Sequence, residues 1–207
     1  MKIGEFSRGG VARGAEAVQA ADHDMHPDAV LAPAGILEVD TNQLSVIFGT
    51  SRDTSDFVAD SLELWWTNRQ AAHPGVRRLL IDLDNGPEIA SSRTQFMKRL
   101  VDFADRQKLT LELAYYPPYH SKYNLIERCW GILENHWSGT LLSTIATALE
   151  WAKTMTWRGL APIVHLLDRV YETGVRLTPR DFRPIAARLE RSESLPKWSL
   201  VIHPKPG

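Results

Sequence analysis

The sequence predicts a mixed α/β fold in which helices cover both faces of a sheet. Three observations lead to this prediction. Two alternating segments flank a polar turn, strand and helix patterns succeed one another through the middle of the chain, and an apolar strand-like segment lies near the end. The chain has 207 residues, of which 43% are hydrophobic. This is enough for a buried core and argues against disorder.

The predicted elements follow the hydrophobic periodicity in chain order. Strand-like pieces occur at Lys2–Phe6 and near Val30, and a hairpin is predicted from Gly35–Asp40 and Leu44–Phe48. The later elements are a helix capped by Asp53, a strand at 78–84, a helix at 91–106, a strand at 109–116, helices from 124 and over about 141–156, 161–173 and 179–191, and a strand at 198–202.

Apolar residues repeat on one side of the longer elements, and this predicts the core. Trp130 and Trp137 are expected to be largely buried. At least one of Trp65 and Trp66 is expected to stay partly exposed, because helix neighbours point about 100° apart. The predicted core positions are Phe57, Val58, Leu62, Trp65, Trp66, Phe96, Met97, Leu100, Phe103, Leu109, Leu111, Leu113, Tyr115, Ile126, Cys129, Trp130, Leu133 and Trp137.

Composition limits the function classes. The formal net charge of −1 gives no electrostatic argument for nucleic-acid binding. The single cysteine, Cys129, excludes an internal disulfide and a cysteine-based zinc site, and it favours a reducing compartment, the cytoplasm. No segment approaches the roughly 18 to 20 apolar residues of a membrane span. The first residues lack the apolar core of a signal peptide.

Two acidic positions are candidates for chemistry. Asp84 ends an apolar strand, where α/β sheets place their ligands, but Asp-Asn-Gly is also a common turn sequence, and the turn interpretation is favoured locally. Asp82 projects on the same side but lies deeper in the strand and would need a partner. Glu127 lies at the flank of a helical apolar stripe, and a capping box with Asn124 is the interpretation favoured locally. Glu134 is more typical of a solvated helix face.

A strand-end Asp and a helix Glu that converge at one sheet edge would form an oxygen-ligand site for Mg²⁺ or Mn²⁺. Two such ions can activate water and stabilise a leaving oxygen in phosphodiester cleavage. We therefore expect the carboxylates of Asp84 and Glu127 to lie within about 8 Å of each other.

Two motifs carry a family resemblance. Leu-Ile-Asp-Leu-Asp-Asn-Gly-Pro-Glu at 80–88 and Tyr-Tyr-Pro-Pro-Tyr-His-Ser-Lys-Tyr-Asn-Leu-Ile-Glu-Arg-Cys-Trp at 115–130 resemble the catalytic core of a DDE transposase. The resemblance is to the ISAzo-type insertion-sequence family within the wider mariner-like group. It extends to segments 48–51, 94–100, 155–159 and 171–175, which span nearly the whole chain.

The resemblance implies an RNase H-like fold, with a core at 1–157 that lacks the start of its first strand and a helical C-terminal extension at 158–207. It implies metal-dependent cutting and rejoining of DNA at insertion-sequence ends, with a homodimer in the intact protein and no membrane partner. Asp84 and Glu127 match the second Asp and the Glu of the metal site, and Asn85 is expected to orient Asp84. Tyr119, His120 and Lys122 lie in the loop before the Glu helix, where they could approach DNA phosphate.

The chain departs from the family pattern at its start. The family places its first Asp a few residues before the Lys-Ile-Gly-Glu-Phe segment, which begins here at Lys2. None of Asp22, Asp24 and Asp40 is favoured as a replacement. The expectation is an N-terminally truncated transposase without detectable strand transfer, and the alternative function is an inactive remnant that only binds or dimerises. An RNase H-like nuclease of another kind would share the metal site but has no motif of its own here.

Overall fold

The computed structural model describes residues 2–3, 29–117, 124–140 and 142–206. The chain forms two compact units, each built from two separate stretches. The first unit contains residues 1–52 and 125–170, and the second contains 53–124 and 171–207. The predicted division at residue 157 stays a prediction.

The first unit contains the predicted hairpin. Strands β1 (Lys2–Ile3) and β2 (Ala29–Val30) form a small antiparallel pair. Strands β3 (Ala32–Leu37) and β4 (Leu44–Gly49) pair antiparallel with Leu37 opposite Leu44, which confirms the hairpin. The third strand of this sheet, β5 (Ile163–Leu167), runs parallel to β4 on its other side.

Two helices cover this sheet. They are α3 (Leu125–Trp137) and α4 (Ile145–Thr154), numbered by their place in the chain.

 Their buried side chains, among them Cys129, Leu133 and Trp137, form one core with Phe48 and other residues of the sheet. Trp137 is 7% exposed and Trp130 is only partly buried, so the predicted burial is confirmed in full for Trp137 alone.

Helix α3 lies close to β3 at a glycine. A Cβ atom at Gly35 would lie 2.6 Å from Cζ2 of Trp130 and 2.9 Å from Cδ1 of Ile126. Both distances are too short for non-bonded carbon atoms, so only glycine fits at this position. The contact fixes the first turns of α3, which carry Glu127, against the hairpin.

The second unit contains a four-stranded sheet. Its strands are β6 (Arg78–Leu83), β7 (Thr110–Tyr115), β8 (Leu189–Arg191) and β9 (Ser199–Ile202), in the spatial order β6-β7-β9-β8. Strands β6 and β7 are parallel, whereas β9 is antiparallel to both of its neighbours. Leu109, Leu111, Leu113 and Tyr115 are all buried, as the alternation predicts.

The helices of this unit are α1 (Ser55–Arg69), α2 (Thr94–Gln107) and α5 (Pro179–Ala186), and a short 3-10 turn at Gln70–Ala72 follows α1. The predicted face of α2, from Phe96 to Phe103, is buried. Trp65 and Trp66 are 8% and 5% exposed, so the expectation that one of them stays exposed is wrong. Their rings pack on each other with centroids 5.7 Å apart.

The mixed α/β class is confirmed, and five helices are present in the described part of the chain. The strands of that part form three sheets, where the sequence predicted one. The RNase H-like arrangement stays a prediction. Within the described residues, no helix is both long enough and apolar enough to cross a membrane.

Four local expectations are corrected. The helix predicted at 161–173 is instead the strand at Ile163–Leu167, because this segment gains a parallel ladder with β4. The helix predicted at 179–191 ends at Ala186 and is followed by β8. The strand predicted to be buried at 78–84 exposes alternate residues, including 62% of Leu80. The cap of α1 is Thr54, whose hydroxyl accepts from the amide of Phe57 at 3.2 Å, and not Asp53.

One ion pair in this unit makes a testable contribution to stability. Asp105 accepts hydrogen bonds from Arg188 Nη2 and Nη1 at 2.8 and 3.2 Å and from the Lys205 amide at 2.8 Å. The Arg188 hydrogen bonds lower the pKa of Asp105 to about 2. Because the pKa is lowered on folding, the stabilisation is complete above the unfolded pKa of about 3.9 and is lost as the pH falls through about 2.

We therefore expect Asp105→Asn to reduce the free energy of unfolding at pH 7 by about 1–2 kcal/mol, a value discounted for partial solvent screening. Urea unfolding of both proteins between pH 7 and pH 2 measures it. The difference between them should shrink toward the acid end, and a difference that grows there would contradict the assignment. Asp102→Asn, which breaks the more exposed pair with Lys98, is the control and should cost about 0.5 kcal/mol or less.

Candidate functional site

Asp84 directly follows β6 and begins a turn. Its Oδ1 accepts a hydrogen bond from the Gly86 amide at 3.0 Å, so the turn interpretation of this residue is confirmed. The side chain is exposed. Within the described part of the chain, no hydrogen bond to Oδ2 is found. The turn therefore occupies one carboxylate oxygen and orients the other, which makes the turn role compatible with a ligand role.

Glycine at position 86 gives the Asp84 carboxylate room to approach the backbone. A Cβ atom on Gly86 would lie 3.1 Å from Asp84 Oδ1, which is tighter than ordinary contact. Asn85, which the resemblance implied as the residue that orients Asp84, is exposed and makes no hydrogen bond to it within the described residues. The backbone amide of Gly86 orients the carboxylate instead.

A second carboxyl lies near Asp84. Asp53 precedes the cap of α1, and burial raises its pKa although part of the residue reaches solvent. The negative charges of Glu88 and Asp84 raise that pKa further. Such repulsion acts over a short range in water, so the charges of Glu88 and Asp84 lie within electrostatic range of Asp53 in the second unit. Because Thr54 caps the helix, Asp53 is not needed for that role.

Glu88 differs from the other two acids because cations and donors surround it. Arg93 Nη2 lies 2.9 and 3.1 Å from its two carboxylate oxygens. The Ser55 amide donates to Oε2 at 3.3 Å, and the Ser55 hydroxyl oxygen lies 3.2 Å from the same atom. The charge of Glu88 is thus neutralised, whereas those of Asp84 and Asp53 have no such partner in the described residues.

Asp82 has a partner that the sequence did not identify. Its carboxyl is hydrogen-bonded to Tyr116, the residue after β7. Burial raises the pKa of Asp82, and the Tyr116 hydrogen bond acts in the opposite direction. Asp82 therefore serves a contact between neighbouring strand ends, which agrees with its lack of a catalytic counterpart in the family resemblance.

Glu127 lies in the first turn of α3 and is exposed. It belongs to the first unit, whereas Asp84 belongs to the second, so the predicted separation of the two carboxylates stays a prediction. Tyr119, His120 and Lys122 lie outside the described residues, as do Asp22 and Asp24. Their suggested roles are untested.

The donor chemistry beside β6 suits a hard cation. Carboxylate oxygens are the ligands that Mg²⁺ and Mn²⁺ prefer. Asp84 Oδ2 is available, and the neighbouring Asp53 carboxyl adds like charge that a cation would offset. The described residues contain no group of three His, Cys, Asp or Glu side chains that could hold a metal ion. Within the described residues, this edge of the second unit thus presents one carboxylate oxygen of Asp84 that makes no hydrogen bond.

Sequence reasoning missed the contributions of Asp53 and Glu88. The sequence predicts Asp53 as the cap of α1, whereas the adjacent Thr54 takes that role. Glu88 is the last residue of the motif at 80–88, four residues after Asp84. In the sequence, only this position indicates a role for Glu88. Its partner Ser55 is 33 residues away in the chain, so no local pattern reveals the contact.

The proximity of Asp53 and Asp84 can be tested directly. In metal-free buffer we expect Asp84→Asn to lower the pKa of the Asp53 carboxyl, because it removes a neighbouring negative charge. Carboxyl ¹³C chemical shifts followed against pH measure this value. Asp102→Asn should leave it unchanged, and an equal Asp53 titration in all three proteins would show that the two carboxyls are not neighbours.

Comparison with known proteins gives one match. The family described as the Rhodopirellula transposase DDE domain matches residues 1–204. No curated protein matches the chain. No solved structure matches it either.

Proposed function

The chain belongs to the Rhodopirellula-type transposase DDE domain family, and on that premise we propose that it is the catalytic domain that cuts and rejoins DNA at the ends of an insertion sequence. The observation that carries the proposal is a family match over nearly the full length together with an exposed, oriented carboxylate at Asp84. The more specific placement in the mariner-like group is part of the proposal.

The proposed metal ligands are Asp84 and Glu127. Asp84 is supported by its place at a strand end and by the Gly86 hydrogen bond, which holds one oxygen and leaves the other available. Glu127 is supported by the specific motif around it and by the packing of Trp130 on Gly35, which fixes its helix. Tyr119, His120 and Lys122 are proposed to approach DNA phosphate.

A bound divalent cation, Mg²⁺ or Mn²⁺, would supply the activation of water and the stabilisation of the leaving oxygen in phosphodiester cleavage. The chain's own residues would bind the cation and orient the DNA. Asp84 and Glu127 provide negative charge in fixed positions, and the loop after Tyr116 is proposed to contact the DNA backbone. The proposal includes a homodimer, because an insertion sequence has two ends to be cut.

The experiment is a cleavage assay with the purified protein and duplex DNA that carries the insertion-sequence ends. We expect nicks at the element boundary in Mg²⁺ or Mn²⁺, and none with EDTA or with scrambled ends. Specific binding to the ends without cleavage in either ion would instead favour the alternative, an inactive binding or dimerisation module. Cleavage that persists in EDTA would reject the metal-dependent mechanism.

A further inference from the structure

We propose that Glu88 is a positioning residue for Asp84: through Ser55 and Arg93 it fixes the segment 84–93, here called the Asp84 loop, to the starts of two helices. The inference rests on the proposed function, because it assigns Glu88 a part in presenting the Asp84 carboxylate to a cation. It concerns a side chain that itself needs no contact with metal or DNA.

The Glu88 contacts join three elements of the second unit. Ser55 is the first residue of α1, and its hydroxyl donates to the Glu88 carbonyl oxygen at 2.7 Å in addition to the carboxylate contacts. Arg93 is the residue immediately before α2. Its Nε donates to the Ser55 hydroxyl at 3.4 Å, which closes the arrangement into a ring of three side chains. Ser55 is 2% exposed, and the Arg93 side chain is 13% exposed.

These surroundings make the contacts stronger than a surface ion pair. The pair is charge-assisted, and one nitrogen, Arg93 Nη2, contacts both carboxylate oxygens of Glu88. The Ser55 amide is one of the unpaired donors at the start of α1, where a negative charge is favoured by the helix dipole. Glu88 thus accepts hydrogen bonds from the first amide of α1 and from Arg93, and these bonds hold the Asp84 loop against both.

The position of Glu88 within the loop is what links it to Asp84. Farther along, Tyr115 Oη donates to the Ile89 carbonyl at 2.9 Å, and Arg191 Nη2 donates to the Ser91 carbonyl at 2.7 Å. Between Asp84 and Glu88, the hydrogen bonds found in the described residues are local to the loop. Glu88 is therefore the first side chain after Asp84 that fastens the loop to another element.

Loss of Glu88 should consequently loosen residues 85–88 while the later anchors keep the unit folded. A purely structural ion pair would behave differently, because its loss would lower overall stability without a selective effect beside Asp84. The pair Asp105–Arg188 in the same unit supplies that comparison. It is likewise an arginine–carboxylate pair of similar exposure, but its bonds are to the C-terminal segment and not to the Asp84 loop.

The test compares the complete protein with Glu88→Ala, Glu88→Gln, Asp105→Asn and Asp84→Asn. The first readout is amide hydrogen exchange of Asn85, Gly86 and Glu88 without metal, since Pro87 has no amide hydrogen. We expect exchange about tenfold faster in Glu88→Ala, and a smaller increase in Glu88→Gln, which keeps an oxygen for the Ser55 amide. Asp105→Asn should leave exchange in these residues unchanged.

The second readout is Mn²⁺ binding, followed by the electron paramagnetic resonance signal of the free ion. We expect Glu88→Ala to raise the half-saturating Mn²⁺ concentration about tenfold, the scale of effects from residues that orient metal ligands. Asp84→Asn should remove this binding. Thermal unfolding of each variant identifies any change that is due to lost stability alone.

The outcomes separate this inference from the proposed function. Unchanged loop exchange in Glu88→Ala, or Mn²⁺ affinity reduced no more than in Asp105→Asn, would overturn the positioning role while Asp84 remains a ligand. Equal Mn²⁺ binding by the original protein and Asp84→Asn would instead reject the proposed metal site. In that case faster loop exchange in both Glu88 variants would still support the role of Glu88 in fixing the loop.

Discussion

Asp84→Asn is expected to reduce metal-dependent cleavage of insertion-sequence ends by roughly 100- to 1,000-fold, the scale on which loss of one charge-stabilising group is felt. The substitution is informative because it separates the two roles of the residue. Asparagine keeps an Oδ1 that can accept from the Gly86 amide, so the turn is preserved. It removes the negative charge, which a cation needs.

The measurement is the initial rate of nicking in Mg²⁺ and in Mn²⁺, together with urea unfolding of each protein. Asp102→Asn is the matched control, since it removes a carboxylate from the same unit in a surface pair with Lys98. It should keep the original rate. Asp84→Ala should lose both rate and some stability, because it also removes the turn hydrogen bond. Cleavage that is unaffected in Asp84→Asn would show that Asp84 is not a metal ligand.

The elements that the sequence predicted well are those in which local periodicity and tertiary packing agree. Leu111, Leu113 and Tyr115 alternate along β7 and are buried on the same side. Phe96, Met97, Leu100 and Phe103 repeat at helical spacing and form the buried face of α2. In such elements one packing surface buries the whole apolar face, so the hydrophobic pattern is the same wherever that surface lies in the chain.

The errors arise where a distant partner decides the structure. The segment Ile-Val-His-Leu-Leu at 163–167 is apolar except for His165 and is short, so its periodicity cannot distinguish a buried helix from a strand. Pairing with β4, for example Val46 opposite Val164, makes it a strand. The exposure of Leu80 has the same origin, because apolar composition indicates a buried strand but does not show which neighbours cover it.

The sequence predicts those parts of the candidate site that depend on neighbouring residues in the chain. Asp84 is identified by the end of an apolar strand and by the Asn-Gly turn that follows, both of which are local signals. The contacts of Glu88 and the proximity of Asp53 depend on how α1 packs beside the Asp84 loop, which no spacing in the sequence encodes. The motif around Glu127 identified its family role but not its separation from Asp84.

A second large effect is expected at Arg99, which links α2 to α1. Arg99 Nη1 lies 2.5 Å from Asp56 Oδ1, and its Nη2 contacts Asp60, which also accepts from Tyr171 Oη at 2.9 Å. The side chains of Arg99, Asp56 and Asp60 are only 16%, 20% and 15% exposed. Arg99→Met keeps most of the side-chain volume but leaves two largely buried carboxylates without their cation.

Removing one partner from such a network typically costs about 3–5 kcal/mol, and we expect a loss near 3 kcal/mol because some solvent still reaches the group. Urea unfolding at pH 7 measures it. Arg106→Met is the matched control: it lies on the same helix and also pairs with α1, through Glu63, but with 47% of its side chain exposed. It should cost under about 1 kcal/mol. Equal losses in the two variants would mean that burial does not strengthen the Arg99 network, whereas a partial recovery when Asp56→Asn is added to Arg99→Met would identify the uncompensated carboxylates as the cause.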